Sequence, residues 1–280
     1  IDIYDITISD IDELEYLKKI NEFYIGRTII DDMNSLENLK YLSSMRTVNI
    51  GVSDVGLADI NFLNDLRDLN HGILTFTKNK IKDISPLSGI EYLDELLLDE
   101  NEISNISALE DLRETNYLHL SQNAINDISP LKSLQKTESL SLENNLIRDI
   151  TPLSSIQKIR HLQLSNNQIE DISLFFDFAP LKELDLMENL IKDISSLSNQ
   201  KSLQELSLSD NRISDLTPLA NLVELRILFL DNNNISDISP LFGLRNLEEV
   251  YLNGNPDIPL SQIEELKKNN RGVDIEYDKK

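Results

Sequence analysis

Asparagine returns along this chain at one constant interval. Nine asparagines follow one another with a spacing of 22 residues: Asn79, Asn101, Asn123, Asn145, Asn167, Asn189, Asn211, Asn233 and Asn255. The surrounding apolar positions return with the same period, so that Leu140 and Leu142 precede Asn145 while Ile147 and Ile150 follow it. Such a period indicates one small structural unit repeated along the chain, because a unit of this size needs neighbours to bury its apolar face.

Each period predicts one β-strand followed by a short return segment. Leu118 and Leu120 alternate as on a strand and point to the same side. Asn123 follows at the bend, where its amide can satisfy backbone groups that would otherwise be buried without partners. The pattern therefore predicts an α/β leucine-rich repeat in which the nine asparagines form a structural ladder.

The return segment carries its own polar signature. An aspartate recurs in seven periods, and we expect it to bond turn amides: Asp83, Asp127, Asp149, Asp171, Asp193, Asp215 and Asp237. In the example Asp127-Ile-Ser-Pro-Leu, Ser129 is suited to an N-cap and Pro130 to the first helical position. So few residues remain between the apolar anchors that a 3₁₀ or single helical turn is predicted.

The repeat also defines the domain organisation. We predict a solenoid of about twelve turns over residues 1–256, irregular over 1–68 and regular over 69–256. In the third turn, Val48 and Ile50 are the expected core positions and Ser53 takes the place of the asparagine. In the first two turns, Ile6 and Thr28 take the asparagine positions. Their expected apolar positions include Ile11, Leu14 and Leu17 in the first turn and Ile20, Met33 and Leu39 in the second.

Residues 257–280 depart from the repeat and predict a C-terminal cap made of a helix and a strand. Ser261 and Glu264 have the spacing of a capping box, and Ile263 with Leu266 forms an apolar edge. A short strand is expected around Ile275. A repeat array needs such a cap because its last turn would otherwise leave its core open to water.

Composition excludes several classes of function. The chain has 26 lysines and arginines against 49 aspartates and glutamates, a net charge of −23, which argues against nucleic acid as a partner. It has no cysteine, so disulfides and thiolate chemistry are excluded. No apolar run is long enough to predict a transmembrane segment.

The consensus LxxLxLxxNxIxDIxPLxxL, seen here as Leu225 through Leu244, resembles the repeats of the internalin family of bacterial surface and secreted proteins. The resemblance is close over residues 69–256 and loose over 1–68. It implies a right-handed, curved solenoid with a parallel sheet on the concave side and short turns on the convex side. It also implies a non-enzymatic scaffold, secreted or at the cell surface, that binds a protein partner.

Two other functions remain open from the sequence. Intracellular, SDS-type regulatory scaffolds also use repeats of this length, which would place the chain in the cytoplasm. A carbohydrate-active protein is the second alternative, since Glu183 and Glu205 could act as a carboxylate pair. No phosphate-binding loop, nucleophile elbow or zinc-binding helix motif occurs, so neither an enzyme nor a bound cofactor or metal is predicted.

The residues that flank the strand leucines are the candidates for partner binding, because they face the concave side. One row of them contains Tyr24, Asn49 and Thr75 among others. The core does not need large apolar residues there, and exposed apolar patches on a rigid scaffold are candidate interface anchors. Two such clusters are predicted: Ile73, Leu97, Tyr117 and His119, and then Ile227, Phe229 and Tyr251.

An acidic stretch that includes Asp185 and Glu205 lies between these clusters in the sequence. It allows three interpretations: ordinary solvated surface, a steering patch that favours a basic partner, or a weak calcium site. A separate departure from the repeat occurs at Leu174-Phe-Phe-Asp-Phe, where Phe175 and Phe178 replace template leucines. Phe176 falls at an outward position, either in a repacked turn or in a weak lateral self-contact.

Overall fold

The computed structural model describes residues 1–5, 7–10, 22–27, 29–30, 32, 34–36, 38, 47–66, 71–256 and 258–278. The predicted positions Ile6, Ile11, Leu14, Leu17, Ile20, Thr28, Met33 and Leu39 lie outside these residues. The chain divides into two compact units: the first unit is residues 1–145 with 155–157, and the second unit is residues 146–154 with 158–280.

The strands of the first unit follow each other in chain order: β1 (Asp2–Tyr4), β2 (Thr7–Ile8), β3 (Glu22–Gly26), β4 (Ile29–Ile30), β5 (Thr47–Ser53), β6 (His71–Thr75), β7 (Glu95–Leu97), β8 (Tyr117–His119) and β9 (Ser139–Ser141). All pairs between them are parallel, in the order β1-β3-β5-β6-β7-β8-β9, with β2 and β4 as a separate pair. Its 3₁₀ segments are Asn61–Leu66, Ser85–Leu87, Ser107–Leu109 and Ser129–Ser133.

The second unit contains β10 (His161–Gln163), β11 (Glu183–Asp185), β12 (Glu205–Ser207), β13 (Ile227–Phe229), β14 (Glu249–Tyr251), the helix α1 (Leu260–Asn269) and β15 (Asp274–Glu276). Each strand pairs in parallel with the next. Its 3₁₀ segments are Ser173–Phe176, Ser195–Asn199, Thr217–Leu219 and Ser239–Gly243, and a further one, Thr151–Ser155, has residues in both units. This arrangement is the predicted leucine-rich repeat fold.

The core of each unit is built from the same repeat positions. The middle residue of each three-residue strand from β7 to β15 is buried, as with Leu118 in β8 and Leu184 in β11. The isoleucines after the ladder asparagine are buried as well, for example Ile147 and Ile150. Burying one such side chain contributes about 1.5–3 kcal/mol, so repetition of the pattern supplies the stability that no single turn could provide.

The asparagine ladder is confirmed. The side chain of Asn145 donates to the carbonyls of Leu120, Leu142 and Glu143 at 3.0–3.1 Å, and its Oδ1 accepts from the backbone N–H of Ile125 at 3.0 Å. Every ladder asparagine accepts an equivalent backbone bond at 2.9–3.1 Å. Each amide therefore joins its own bend to the preceding turn.

The predicted aspartate bonds are present, but the predicted serine cap is wrong. The Oδ1 of each of the seven aspartates accepts from the backbone N–H two residues later at 2.8–2.9 Å. Ser129 is the first residue of its 3₁₀ segment and makes no side-chain cap. Asp127, two residues before the start of the segment, takes that role, because its carboxylate accepts from the exposed N–H of Ser129.

The predicted register of the third turn is also wrong. Ile50 pairs with Leu74, while Asn49 pairs with Ile73 rather than lying in the row of Thr75. Gly51 occupies that row instead. The ring of Tyr24 lies against it, and a Cβ at this position would come within 2.3 Å of that ring, which is why a glycine fits here. Val52 is consequently a buried core residue, and Ser53 does not stand in for the asparagine.

Val55 is the residue that takes the asparagine position of the third turn. Its backbone N–H donates to Asn79 Oδ1 at 3.3 Å, and the N–H of Leu57 donates to the same oxygen at 3.0 Å. An apolar residue is compatible with this position because Asn79 of the following turn supplies the acceptor. Asn79 is therefore the first asparagine of the ladder, and its side chain makes the bonds that join it to the third turn.

The C-terminal segment contains the predicted helix and strand. Ile263 and Leu266 are buried beneath α1, and β15 pairs with β14. The predicted capping box is wrong: Pro259 is the N-cap and no side chain bonds there, because the helix already begins at Leu260. Among the described residues no helix is long and apolar enough to cross a membrane.

Candidate functional site

The residues on either side of the buried strand position form what we call the open face of each unit. In the second unit its first row is His161, Glu183, Glu205, Ile227, Glu249 and Asp274, and its second row is Gln163, Asp185, Ser207, Phe229, Tyr251 and Glu276. These side chains point away from the core because successive residues of a strand face opposite sides of a sheet.

The pairing of the first unit brings its predicted cluster together. Ile73 and Tyr117 flank Glu95 in one row, and Leu97 lies beside His119 in the next. The rings of Tyr117 and His119 meet edge to face at 6.4 Å between centroids. Tyr117 is 39% exposed, so this cluster presents apolar surface outside the core. Its role in partner binding stays a prediction.

Beside this cluster, His119 contacts a carboxylate. Its Nδ1 lies 3.8 Å from Asp99 Oδ2, and Asp99 Oδ1 accepts from the backbone N–H of Ser121 at 2.8 Å. Burial raises the pKa of Asp99 even though the Ser121 N–H and His119 both favour its charged form. The arrangement holds a desolvated carboxylate against the imidazole at the edge of the cluster.

Two positions on the open face of the first unit are buried, although the alternation along β9 predicts that they are exposed. Ser139 and Ser141 are both buried, and Ser141 is only 4% exposed. The hydroxyl groups of Ser141 and Ser121 lie 2.5 Å apart, which draws both side chains against the sheet. The open face of the first unit therefore has no exposed side chain at these two positions.

The second unit carries the more prominent aromatic feature. Phe229 and Tyr251 lie side by side in β13 and β14, and their rings stack with centroids 4.7 Å apart at an interplanar angle of 15°. The Tyr251 hydroxyl donates to Glu249 Oε2 at 2.8 Å, and this bond raises the pKa of Tyr251 to about 12. Ile227 lies on the same face of β13, two residues before Phe229.

Carboxylates surround the stacked pair. Asp185 lies beside Ser207, and Glu205 lies between Glu183 and Ile227. Burial, followed by the charges of Glu183, Asp185 and Glu249, raises the pKa of Glu205. The two rows of this face contain no lysine or arginine, and its one histidine, His161, contacts Glu183 at 2.8 Å.

The strand β15 adds residues that the repeat pattern did not reveal. Asp274 lies beside Glu249, and Glu276 lies beside Tyr251. Because β15 is separated from β14 by a helix, the 22-residue period could not place these two carboxylates on the open face. The described residues contain no group of three histidine or carboxylate side chains placed to hold a metal ion.

Sequence analysis also missed a residue that supports the irregular turn around Phe175. Gln200 is buried, donates to the carbonyls of Phe175 and Phe178, and accepts from the N–H of Leu181. It satisfies backbone groups that the larger phenylalanine rings, 5.4 Å apart and edge to face, leave inside this turn. Phe176 is 54% exposed, and the self-contact predicted for it stays a prediction.

Comparison with known proteins identifies the family. The protein-family model described as leucine-rich repeats (2 copies) matches residues 157–199, 201–242 and 223–268. The crystal structure of internalin InlF from Listeria monocytogenes is 30% identical, with a TM-score of 0.84, over 98% of this chain and 78% of that one.

More distant structures share the fold alone. InlJ from Listeria monocytogenes is 20% identical with a TM-score of 0.59, over 86% of this chain and 55% of that one. The plant peptide hormone receptor RGFR1 is 18% identical with a TM-score of 0.68, over 97% of this chain and 49% of that one. No curated protein sequence matches the chain. On the likeness to InlF, the chain belongs to the internalin family of leucine-rich repeat proteins.

Proposed function

We propose that this protein is a non-enzymatic scaffold that binds a protein partner through the open face of its sheet. The observation that carries the proposal is the stacked pair of Phe229 and Tyr251, which is large, apolar and outside the core. Both rings are partly buried, and they pack on each other at the open face instead of among the buried core residues. Aromatic residues of this kind commonly dominate the energetics of protein interfaces.

The construction of the scaffold supports this function. The buried leucines and the asparagine ladder fix the backbone of every turn, so the open-face side chains project from a rigid support. Rigid anchors lose little conformational entropy on binding, which favours affinity. The family membership further supports a bacterial protein that is secreted or displayed at the cell surface.

The test is affinity capture from bacterial and host lysates with three forms of the immobilised protein. Truncating a buried aromatic anchor costs about 2–4 kcal/mol of binding. We therefore expect Phe229→Ala to weaken the specific partner at least about tenfold, because each factor of ten corresponds to about 1.4 kcal/mol. The unfolding temperature should stay nearly unchanged, because Phe229 lies outside the core.

Lys192→Ala is the matched control, since Lys192 is exposed in a return segment away from the strands. A protein retained by the wild type and by Lys192→Ala, but lost with Phe229→Ala, would support the proposal once its affinity is measured in purified form. Equal retention by all three forms would refute binding through the aromatic pair. Unfolding of Phe229→Ala with unchanged capture would refute the placement of the ring outside the core.

A further inference from the structure

Beside the aromatic pair, the second row of the open face has its smallest side chain, a serine. Ser207 lies between Asp185 on β11 and Phe229 on β13, so that its side chain leaves a gap between these two larger ones. Adjacent strands are about 4.8 Å apart, so roughly 10 Å separates the Cα atoms of Asp185 and Phe229. We call this gap the Ser207 slot.

One wall of the slot is an aromatic face. The ring of Phe229 is stacked on Tyr251 at 4.7 Å, which is close to the spacing of neighbouring strands. The two rings therefore stand one behind the other along the strand-to-strand direction. Tyr251 covers one face of the Phe229 ring, and Ser207 lies beside Phe229 on the opposite neighbouring strand.

The remaining boundaries of the slot carry negative charge. Asp185 Oδ1 accepts from the backbone N–H of Met187 at 3.0 Å, which orients the carboxylate while its second oxygen can accept from a ligand. Glu205 lies two residues before Ser207 on β12, and the charge of Asp185 contributes to its raised pKa. A cation entering the slot would relieve the repulsion between these carboxylates.

We propose that the Ser207 slot binds an arginine side chain of a protein partner, with the guanidinium flat against Phe229 and hydrogen-bonded to Asp185 and Glu205. This assignment rests on the proposed function, because it names the chemistry of a partner at the same face. A guanidinium is planar, stacks on aromatic rings and presents a fork of donors that matches carboxylates. A lysine ammonium is a compact, strongly hydrated charge and gains less from the ring.

The experiment uses three blocked tripeptides, glycine–X–glycine, in which X is arginine, lysine or citrulline. Citrulline keeps the shape of arginine without its charge, and lysine keeps the charge without the planar group. Each peptide is titrated into the isotope-labelled protein, and amide chemical shifts are followed by NMR. We expect the arginine peptide to shift the amides of Ser207 and Phe229 and to bind at least about fivefold more tightly than the lysine peptide. The citrulline peptide should cause no shift there.

Three variants separate the contributions. Phe229→Ala should remove the preference for arginine over lysine, and Asp185→Asn should weaken both charged peptides at least about threefold. Ser207→Leu should fill the slot and abolish the local shifts without lowering the unfolding temperature. Glu224→Gln removes one charge from an exposed loop residue and is the control, expected to leave every affinity unchanged.

Two outcomes would overturn the inference. One is equal affinity for the arginine and lysine peptides, with shifts spread over all open-face carboxylates. The other is an arginine peptide that binds equally well to Ser207→Leu. If either occurs while Phe229→Ala still loses a captured protein partner, the slot assignment fails and the proposed function stands. If no partner is lost with Phe229→Ala, the proposed function fails whatever the peptides do.

Discussion

Replacing Asn145 with alanine tests whether the ladder stabilises the fold by hydrogen bonding. The wild-type side chain makes four bonds, three from Nδ2 to the carbonyls of Leu120, Leu142 and Glu143 and one from the Ile125 N–H to Oδ1. All five residues belong to the first unit. Asn145→Ala would remove every one of these bonds and leave the buried groups in place.

The magnitude follows from the groups that lose their partner. Leaving one buried donor or acceptor unsatisfied costs about 1–3 kcal/mol. Ile125 is fully buried, so its N–H would carry such a penalty, and the carbonyl groups would add to it. We therefore expect Asn145→Ala to lower the free energy of unfolding by about 3 kcal/mol. A typical small domain has only about 5–15 kcal/mol in total, so the loss should be easily measured.

Urea unfolding of two further variants separates hydrogen bonding from volume. Asn126→Ala changes an exposed asparagine of the same unit and should alter stability by less than about 0.5 kcal/mol. Asn145→Asp keeps the shape and the acceptor but directs a carboxylate oxygen at carbonyls 3.0–3.1 Å away. It should destabilise at least as much as the alanine variant. A well-tolerated aspartate, or equal losses at positions 126 and 145, would refute the ladder argument.

Three further outcomes follow from other contacts. Gln200→Leu should lower the free energy of unfolding by about 1–3 kcal/mol in urea, because it leaves the Leu181 N–H unsatisfied inside the second unit. The Ser173 N–H lowers the pKa of the exposed Asp171, so its stabilisation is complete above pH about 4 and is lost as pH falls through the lowered folded value. Asp171→Ala should consequently cost about 0.5 kcal/mol at neutral pH and nothing in strong acid, as measured by unfolding at both. Glu249→Gln should lower the pKa of Tyr251 from about 12 toward its ordinary value, observed by NMR titration of labelled tyrosine.

The regular half of the fold was predictable because its constraints are local and repeated. Each period shows which residue is buried, which one bends the chain and which one bonds the next turn. The row that contains Leu97, His119, Asp185 and Phe229 could therefore be assigned before any coordinates, and the strand register agrees with it. The pairing of Phe229 with Tyr251 followed from the same period.

The irregular turns were not predictable from the template, because residue chemistry there overrides the period. At β5, the apolar residues Val48, Ile50 and Val52 allow two registers that differ by two residues: either Val48 and Ile50 or Ile50 and Val52 take the two core positions. The structure has the register in which Val52 is buried and Gly51 lies against the Tyr24 ring. This contact joins residues on separate strands, so no local pattern in the sequence reveals it.

The repeat pattern also predicts too few negative charges on the open face, because some of its carboxylates lie outside the repeat. The repeat identified Asp185 and Glu205, but Asp274 and Glu276 reach the same face through β15, which does not follow the 22-residue period. The raised pKa of Glu205 likewise reflects burial and several neighbouring charges together. Composition alone gave the sign of the charge but not its position.

The repeat assigns stability and recognition to different residues of the same short strand. Leu206 is fully buried and fixes β12 in the core, while Glu205 and Ser207 on either side of it are only partly buried and lie outside the core. Their identities can therefore vary from turn to turn without loss of the scaffold. Ser207, between Asp185 and Phe229, leaves a space that a larger side chain would fill. The sizes and charges of the side chains along the open-face rows therefore determine which partner the protein binds. The Ser207 slot is the position where a single substitution should change partner choice while leaving the fold intact.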